Sequence, residues 1–260
     1  MRLTGFRDRA ALVTGAAGGI GRAVVAALRD AGARVCATDT AEALAAAALP
    51  LRDGEVLMVR ALDIRDGDGL ARLLDEAAAT ALGPVTLAVH AAGVLATGTV
   101  ADTAPRDWQR VMEINAGGTF NLLSTAGPRI AGQGGGAIVV IGSNAGGIPR
   151  HGMGAYAASK AAAALLTRCA GLELAALGVR CNLVAPGSTL TPMQTGIWTD
   201  DSGAAAVLKG DPARFRTGIP LGKFAAPEDI AAAAMFLLSE QAGHVTMADL
   251  YVDGGATLRA

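Results

Sequence analysis

Residues 10–21 read AALVTGAAGGIG, and this stretch decides the fold. Its first half is an unbroken apolar run, as expected of a strand buried on both faces of a parallel sheet. The glycines that follow let the backbone turn tightly and bring the free N–H groups of a helix start to a phosphate. This order of strand, glycine-rich turn and helix is a dinucleotide-binding pattern. We therefore expect Gly15, Gly19, Ile20 and Gly21 to contact a cofactor.

Strand-like and helix-like segments alternate along the rest of the chain. Short apolar runs rich in β-branched residues predict strands at 10–14, 34–38, 55–60, 87–91, 137–141, 180–184 and 250–252. Longer stretches with helical spacing predict helices at 19–31, 66–82, 105–130, 154–177 and 227–239, with a short helix at 41–49. Such alternation predicts an α/β fold, a Rossmann-like doubly wound parallel sheet with a ligand crevice at the carboxyl ends of its strands.

One domain accounts for the whole chain. Its 260 residues suit a single large α/β domain, so we expect residues 1–260 to form one cofactor-binding and catalytic unit. Only the stretch at about 188–223 lacks a strong pattern. A long loop inside a compact domain is usually a lid or binding loop, which predicts a substrate lid here. A plain surface excursion is the alternative.

Composition excludes several classes of function. There are 22 basic and 23 acidic side chains, a net charge of −1, which gives no general attraction to nucleic acid or anionic lipid. No apolar run approaches the roughly 18 residues of a membrane span, and the start of the chain lacks the pattern of a signal peptide. Three cysteines without CxxC spacing indicate reduced core thiols rather than a metal site. We therefore expect a cytoplasmic protein with no metal, nucleic-acid or membrane partner.

The end of the second predicted strand indicates which dinucleotide is bound. Asp39 stands there, 18 residues after Gly21, where a carboxylate accepts hydrogen bonds from the adenosine ribose and repels a 2′-phosphate. Arg22 is the one nearby cation in the sequence, so NAD is favoured over NADP. Asp63 and Ile64 follow the third strand and are expected to border the adenine, although a helix cap is the alternative role of Asp63.

A second set of residues is suited to proton transfer. Tyr156 and Lys160 are four residues apart, so both point from one face of a helix, and Ser143 ends the fifth strand. A nearby ammonium favours the phenolate of a tyrosine, which then takes a proton from an alcohol that Ser143 holds. Asn115 lies where a kink in the long fourth helix can hold a water that links Lys160 to solvent. Each residue alone also has an ordinary structural role.

These motifs together resemble one known family. TGAAGGIG, Asp39, HAAG at 90–93, Asn115, Ser143, YAASK at 156–160 and Pro186-Gly187 are similar to the short-chain dehydrogenase/reductases over essentially the whole chain. The resemblance implies a seven-stranded subunit that forms a homodimer or homotetramer. It also implies that the catalytic group consists of Asn115, Ser143, Tyr156 and Lys160.

The same resemblance implies the remaining cofactor contacts. Lys160 is expected on the nicotinamide ribose, and the segment from Pro186 to Thr191 beside the nicotinamide and pyrophosphate. His90 and Ala91 depart from the two asparagines that the family commonly has, and a buried core histidine is the alternative role of His90. The complete predicted cofactor set is Gly15, Gly19, Ile20, Gly21, Asp39, Asp63, Ile64, His90, Ala91, Gly93, Tyr156, Lys160, Pro186, Gly187, Thr189 and Thr191.

Motifs in the second half point to a narrower group within the family. PRHGM at 149–153, GSTLTPMQ at 187–194 and GIPLGK at 218–223 resemble bacterial members that oxidise 2,3-dihydro-2,3-dihydroxybenzoate in catechol siderophore biosynthesis. This implies a small anionic cyclic substrate whose ring alcohol becomes a phenol. Arg150 can hold a carboxylate by two parallel bonds, with a surface arginine as the alternative. The predicted substrate set is Ser143, Arg150, Met153, Met193, Gln194 and Trp198.

Other functions remain open from the sequence. The first is oxidation of 2,3-dihydro-3-hydroxyanthranilate, which has an amino group in place of the 2-hydroxyl, and nothing in the residues distinguishes the two substituents. More distant alternatives are a generic short-chain alcohol dehydrogenase and a ketoacyl reductase, the latter disfavoured by Asp39. A catalytically inactive NAD-binding sensor is disfavoured by intact Ser143, Tyr156 and Lys160.

Overall fold

The computed structural model describes residues 2–47, 57–196 and 202–258. Within them lies one sheet of seven strands: β1 (Ala10–Thr14), β2 (Arg34–Asp39), β3 (Leu57–Ala61), β4 (Val85–His90), β5 (Gly136–Ile141), β6 (Val179–Pro186) and β7 (Asp249–Val252). The strands are parallel throughout, in the order β3-β2-β1-β4-β5-β6-β7. The predicted doubly wound parallel sheet is thus confirmed.

Helices connect the strands. They are α1 (Gly19–Asp30), α2 (Ala41–Ala46), α3 (Gly67–Ala78), α4 (Pro105–Val111), α5 (Gly118–Gly132), α6 (Gly154–Leu174), α7 (Pro192–Thr195), α8 (Ser202–Lys209) and α9 (Pro227–Leu238). The predicted strand at 55–60 and helix at 41–49 each extend into residues 48–56, which lie outside the described part of the chain. Elsewhere the helix and strand positions agree with the predictions to within a few residues.

Two helical layers cover the sheet. Successive residues of each central strand point to opposite faces, so Leu12 packs in one cluster and Val13 in the other. Helices α3, α5 and α6 cover the first face, while α1 and α9 pack together on the second. Because both faces are covered, the inner strands are buried along most of their length, which explains their continuous apolar runs, whereas the edge strands β3 and β7 are only partly buried.

The long fourth helix is interrupted where a kink is predicted. Residues Met112–Gly117 form a π-helical turn between α4 and α5. The buried amide of Asn115 within it donates to the Val94 carbonyl and to Ser159 Oγ, both at 2.9 Å. Its side-chain oxygen accepts from the Val94 N–H at 2.8 Å. These contacts to two other segments account for the widened turn, since they require the Asn115 side chain to point away from the regular helical direction.

The topology determines where a ligand binds. The strand order reverses between β1 and β4, whose last residues Thr14 and His90 lie side by side. In doubly wound sheets the ligand crevice opens at this point, beyond the carboxyl ends of the strands. The glycine turn after β1, Asp39 after β2 and Ser143 after β5 all lie at this edge. The predicted functional residues are therefore brought to one side of the sheet.

The stretch at 188–223 has more secondary structure than its sequence indicates. It contains α7, α8 and a 3-10 turn at Pro212–Arg214. Residues 197–201, among them the predicted substrate residue Trp198, lie outside the described residues. Its role as a lid stays a prediction.

The cysteines differ in exposure. Cys36 and Cys181 are buried, and burial raises the pKa of each thiol to about 12. Cys169 is exposed on α6, so the prediction that all three are core thiols is wrong for this one. Its apolar sequence neighbours are those of an amphipathic helix, which has an exposed side as well as a buried one.

Across the described helices, none combines the length and apolar character needed to cross a bilayer.

Candidate active site

The glycine turn after β1 is closely packed. Gly15 has a φ of 67°, a conformation that L side chains rarely adopt, and a Cβ there would overlap the Ala92 N–H group. A Cβ on Gly21 would overlap the carbonyl oxygen of Gly15 and lie 2.9 Å from the Ala16 Cα. Only glycine therefore allows the first strand and first helix to approach each other this closely.

The start of α1 faces an open groove. Gly18 is its N-cap and, among the described residues, no side chain caps the helix. Gly15, Gly18, Gly19, Ile20 and Gly21 all line the groove. Uncapped N–H groups and the positive end of the helix dipole form a binding site for a phosphate. The turn thus fits the pyrophosphate of a dinucleotide.

Asp39 is fixed at the same groove by two backbone hydrogen bonds. Its Oδ2 accepts from the Ala17 N–H at 3.0 Å and its Oδ1 from the Thr40 N–H at 2.9 Å. Each carboxylate oxygen keeps a further lone pair for a hydroxyl donor. The carboxylate is thus held between the glycine turn and the end of β2, as a ribose-binding residue requires.

The far end of the groove is formed after β3. Asp63 and Ile64 line it, as do Arg65 and Arg110, whereas Arg22 does not. Arg65 donates to the Asp63 carboxylate at 2.6 Å, and this hydrogen bond is the main reason that the pKa of Asp63 lies below its ordinary value. The carboxylate therefore stays ionised and is already partly occupied by Arg65.

His90 lies behind the groove rather than in it. The imidazole is buried, and its Nδ1 is 2.7 Å from Thr14 Oγ1. Its Nε2 has no hydrogen-bond partner among the described residues. Burial, together with the positive charge of Lys160, lowers the pKa of His90 from 6.5 to about 3. The side chain is thus a neutral core histidine, while the neighbouring Ala91 and Gly93 line the groove.

The buried histidine makes the folded protein sensitive to acid. The folded state keeps His90 neutral, while the unfolded chain binds a proton below pH 6.5. The free energy of unfolding therefore falls as the pH drops from 6.5 towards 3, by on the order of 1 kcal/mol per pH unit. We expect His90→Asn to lose this contribution. Urea unfolding of both proteins at pH 7.5 and pH 5.0 measures it, and an equal loss of stability in both would contradict the prediction.

Ser143, Tyr156 and Lys160 meet beside the groove. Ser143 follows β5, and α6 presents the other two side chains from successive turns. Lys160 Nζ lies 6.0 Å from the centroid of the Tyr156 ring and donates to the Ile141 carbonyl at 2.9 Å. The Ser143 hydroxyl lies close enough to the Tyr156 phenol to lower its pKa. The spacing predicted from the sequence thus corresponds to one cluster of side chains.

Burial dominates the electrostatics of this cluster. It raises the pKa of Tyr156 above its ordinary value, and the nearby Ser143 hydroxyl opposes this only partly. Burial also lowers the pKa of Lys160 to about 8, so the ammonium form still predominates at neutral pH. In the protein alone Tyr156 is therefore a neutral phenol. The phenolate expected from the sequence requires further positive charge at the site.

Asn115 is near this cluster but contacts it indirectly. Its side chain bonds to Val94 and Ser159 rather than to Lys160. A Cβ on Gly93 would lie 3.2 Å from Asn115 Oδ1 and 3.3 Å from Lys160 Nζ. Glycine at this position therefore leaves the space between the amide and the ammonium open. A water that links Lys160 to solvent through Asn115 stays a prediction.

A second cavity opens over Ser143 and Tyr156. It is continuous with the groove, because Ile20, Ala91, Gly93, Thr191 and Met193 line both. The structure brings together here five of the six predicted substrate residues, and the sixth, Trp198, lies outside the described residues. Besides Ile20, Ala91 and Gly93, the predicted residues that line this cavity are Ser143, Arg150, Met153, Tyr156, Lys160, Pro186, Gly187, Thr189, Thr191, Met193 and Gln194.

Several residues of this cavity were not predicted from the sequence. Val207, Arg216, Gly218 and Ile219 come from the stretch at 188–223, and Ala256 from the end of the chain. Gly218 and Ile219 begin the GIPLGK motif. This motif contributed to the resemblance but did not indicate which of its residues line the cavity. No sequence pattern singled out Arg216, because Arg214, two residues earlier, has an equally polar sequence context. Only the folded backbone distinguishes the two arginines.

Comparisons with known proteins show which proteins this chain is similar to. A family model described as enoyl-(acyl carrier protein) reductase matches residues 15–257. The 2,3-dihydro-2,3-dihydroxybenzoate dehydrogenase of Bacillus subtilis (strain 168) is 43% identical over 264 positions, covering 99% of each chain. The vibriobactin-specific 2,3-dihydro-2,3-dihydroxybenzoate dehydrogenase of Vibrio cholerae serotype O1 is 42% identical over 250 positions, covering 95% of each. A solved short-chain type dehydrogenase/reductase from Mycobacterium ulcerans matches with a TM-score of 0.88 and 33% identity, covering 98% of this chain and 92% of that one.

Proposed function

Because the chain belongs to the short-chain dehydrogenase/reductase family, we propose that it oxidises 2,3-dihydro-2,3-dihydroxybenzoate to 2,3-dihydroxybenzoate with NAD. The observation that carries this is the cavity in which Ser143 and Tyr156 face Arg150, a proton-transfer pair beside an anion-binding group. Near-full-length identity to relatives named for this reaction supports the same substrate. The product then belongs to the biosynthesis of a catechol siderophore or another secondary metabolite.

The geometry supports a proton-coupled oxidation at the C3 alcohol of the ring. Ser143 donates a hydrogen bond to the alcohol oxygen and orients it, and the Tyr156 phenolate accepts its proton. When bound, an oxidised nicotinamide supplies the acceptor for the hydride that leaves C3, and a positive charge that favours the phenolate. Lys160 adds a second positive charge from below. The C3 ketone then enolises to a phenol, and this aromatisation drives the reaction towards oxidation.

Three features support NAD as the cofactor. The glycine turn and the uncapped start of α1 fit a pyrophosphate. Asp39, held at the groove by Ala17 and Thr40, fits a free ribose diol and opposes a 2′-phosphate. Of the two arginines in the groove, Arg65 is engaged by Asp63.

We also expect the enzyme to work as a homodimer or homotetramer. Apolar side chains on α4, α5 and α6 are exposed in the single chain: Trp108 at 44%, Phe120 at 56%, Leu165 at 57% and Leu172 at 70%. Apolar patches of this kind usually mark contacts with another protein surface. Light scattering coupled to size-exclusion chromatography measures the mass, and a monomer at micromolar concentration would contradict this expectation.

NADH formation with matched substrates tests the proposed function. We expect rapid turnover of 2,3-dihydro-2,3-dihydroxybenzoate with NAD and at least about 100-fold lower kcat/KM with NADP, since the 2′-phosphate meets Asp39. 2,3-Dihydro-3-hydroxyanthranilate, the alternative substrate, should be run beside it. A higher kcat/KM for 2,3-dihydro-3-hydroxyanthranilate would reassign the substrate. If NADH formed with neither acid, the proposal would be overturned.

A further inference from the structure

The substrate cavity has an uneven distribution of charge. Its described lining residues include three cationic side chains, Arg150, Lys160 and Arg216, and no acidic one. Lys160 is engaged by the Ile141 carbonyl and lies beneath Tyr156. The two arginines therefore remain as the positive groups that face a ligand.

Arg150 approaches from the loop before α6. The guanidinium is half-buried, and its Nη2 donates to the Ala256 carbonyl at 3.3 Å. Asp253 lies near enough to stabilise its charge, but the Asp253 carboxylate already accepts from Asn144 Nδ2 at 3.3 Å and from the Gly255 N–H at 3.0 Å. Arg150 is thus positioned by a neutral carbonyl and keeps donors for a ligand.

Arg216 is placed by a tight turn in the stretch at 188–223. Asp211 and Arg216 exchange two backbone hydrogen bonds of 2.9 Å, which close the turn. Phe215 has a φ of 53°, an uncommon left-handed conformation that reverses the chain immediately before Arg216. Arg214, on the other side of Phe215, turns to the Asp211 carboxylate at 3.5 Å. The turn thus directs one arginine to an acidic partner and the other into the cavity.

The two cavity arginines oppose each other electrostatically. Burial and the neighbouring charge of Arg216 both lower the pKa of Arg150. No carboxylate within 4 Å pairs with Arg216 in the part of the chain that the structure describes. Two half-buried like charges are unfavourable unless an anion compensates them. A carboxylate between them would remove this cost, since its two oxygens accept from two guanidinium groups.

We propose that Arg216 determines specificity for a carboxylated ring: it binds the substrate carboxylate together with Arg150, from the turn in the stretch at 188–223. The proposal rests on the proposed function for the identity of the ring. Loss of Arg216 then weakens binding of the acid without affecting the proton-transfer cluster. A ring diol that lacks the carboxylate gains nothing from either arginine.

Kinetics with and without the carboxylate test this role. The variants are Arg216→Ala, Arg150→Ala and, as a matched control, Arg214→Ala, which removes an arginine of the same turn that points away from the cavity. For 2,3-dihydro-2,3-dihydroxybenzoate we expect Arg216→Ala to lower kcat/KM by roughly 10- to 100-fold, through KM, as for loss of a charged hydrogen-bond donor. With neutral 5,6-dihydroxycyclohexa-1,3-diene its kcat/KM should equal that of the wild type. Arg214→Ala should match the wild type with both.

Benzoate binding separates this proposal from the proposed function. Benzoate carries the carboxylate but undergoes no reaction, so its dissociation constant from the enzyme with NADH reports on the arginines alone. We expect about 10-fold or greater weakening in Arg216→Ala, less in Arg216→Lys, and none in Arg214→Ala. If Arg216→Ala weakened benzoate binding but the wild type did not oxidise 2,3-dihydro-2,3-dihydroxybenzoate, the proposed function would be overturned. The role of Arg216 in binding a carboxylate would still be supported. Equal benzoate affinity in Arg216→Ala and Arg214→Ala, or no binding by the wild type, would overturn the role of Arg216.

Discussion

Tyr156→Phe is expected to lower kcat by about three to four orders of magnitude while leaving the fold and cofactor affinity intact, because we propose that the phenol takes the alcohol proton. The Tyr156 ring is buried and packs in the same way in phenylalanine. Ser143 Oγ keeps its hydrogen bond from the Ala145 N–H at 3.1 Å in either protein. Initial rates of NADH formation measure the loss, and NADH titration measures cofactor affinity.

The second tyrosine of the chain is the control for this variant. Tyr251 lies on β7 and lines neither the groove nor the substrate cavity. Tyr251→Phe should therefore retain kcat to within a few-fold. Turnover by Tyr156→Phe within 10-fold of the wild type would rule out Tyr156 as the proton acceptor.

Gly21→Ala is expected to lower NADH affinity by at least about 100-fold and to destabilise the protein by roughly 1–3 kcal/mol. The added methyl group would overlap the Gly15 carbonyl, so the glycine turn and the start of α1 must move apart. That movement displaces the N–H groups at the start of α1 that we propose bind the pyrophosphate. Calorimetric titration with NADH and thermal unfolding measure the two effects.

Gly132→Ala is the control for Gly21→Ala, because it makes the same substitution where the added methyl group has space. Gly132 is the last residue of α5, and a Cβ there meets no described atom within 4 Å. Alanine is a better helix former than glycine, so the control should be neutral or stabilising by up to about 1 kcal/mol. If Gly21→Ala bound NADH as tightly as Gly132→Ala does, the close approach of strand and helix would not be needed for the cofactor site.

Sequence patterns predicted those parts of the site that depend on local geometry. The apolar run before Gly15 indicates a single strand, and the four-residue spacing of Tyr156 and Lys160 indicates one face of a single helix. Each pattern can therefore be interpreted without the rest of the fold. Parallel strands then bring the residues after their carboxyl ends to one edge, which placed Asp39 and Ser143 near the glycine turn without any knowledge of contacts.

The parts that were not predicted depend on contacts between distant segments. A kink at Asn115 was predicted, but its form as a π turn was not, because the hydrogen bonds of Asn115 are to Val94 and Ser159, which are 21 and 44 residues away. Arg216 reaches the cavity through the left-handed conformation of Phe215, which favours glycine or asparagine and is not indicated by a phenylalanine. Neither feature has a periodicity or composition that marks it.

The widened turn at Met112–Gly117 also determines which face of α5 is buried. A π turn accommodates one residue more than an α-helical turn, so it is equivalent to a single-residue insertion in a continuous helix. If the turn closed to a regular α-helix with all its residues retained, α5 would rotate by about 100° relative to α4. Leu122 and Ile130, both buried against the sheet, would then face away from it. The hydrogen bonds that hold Asn115 in the widened turn therefore help to set the face that the whole of α5 presents to the sheet.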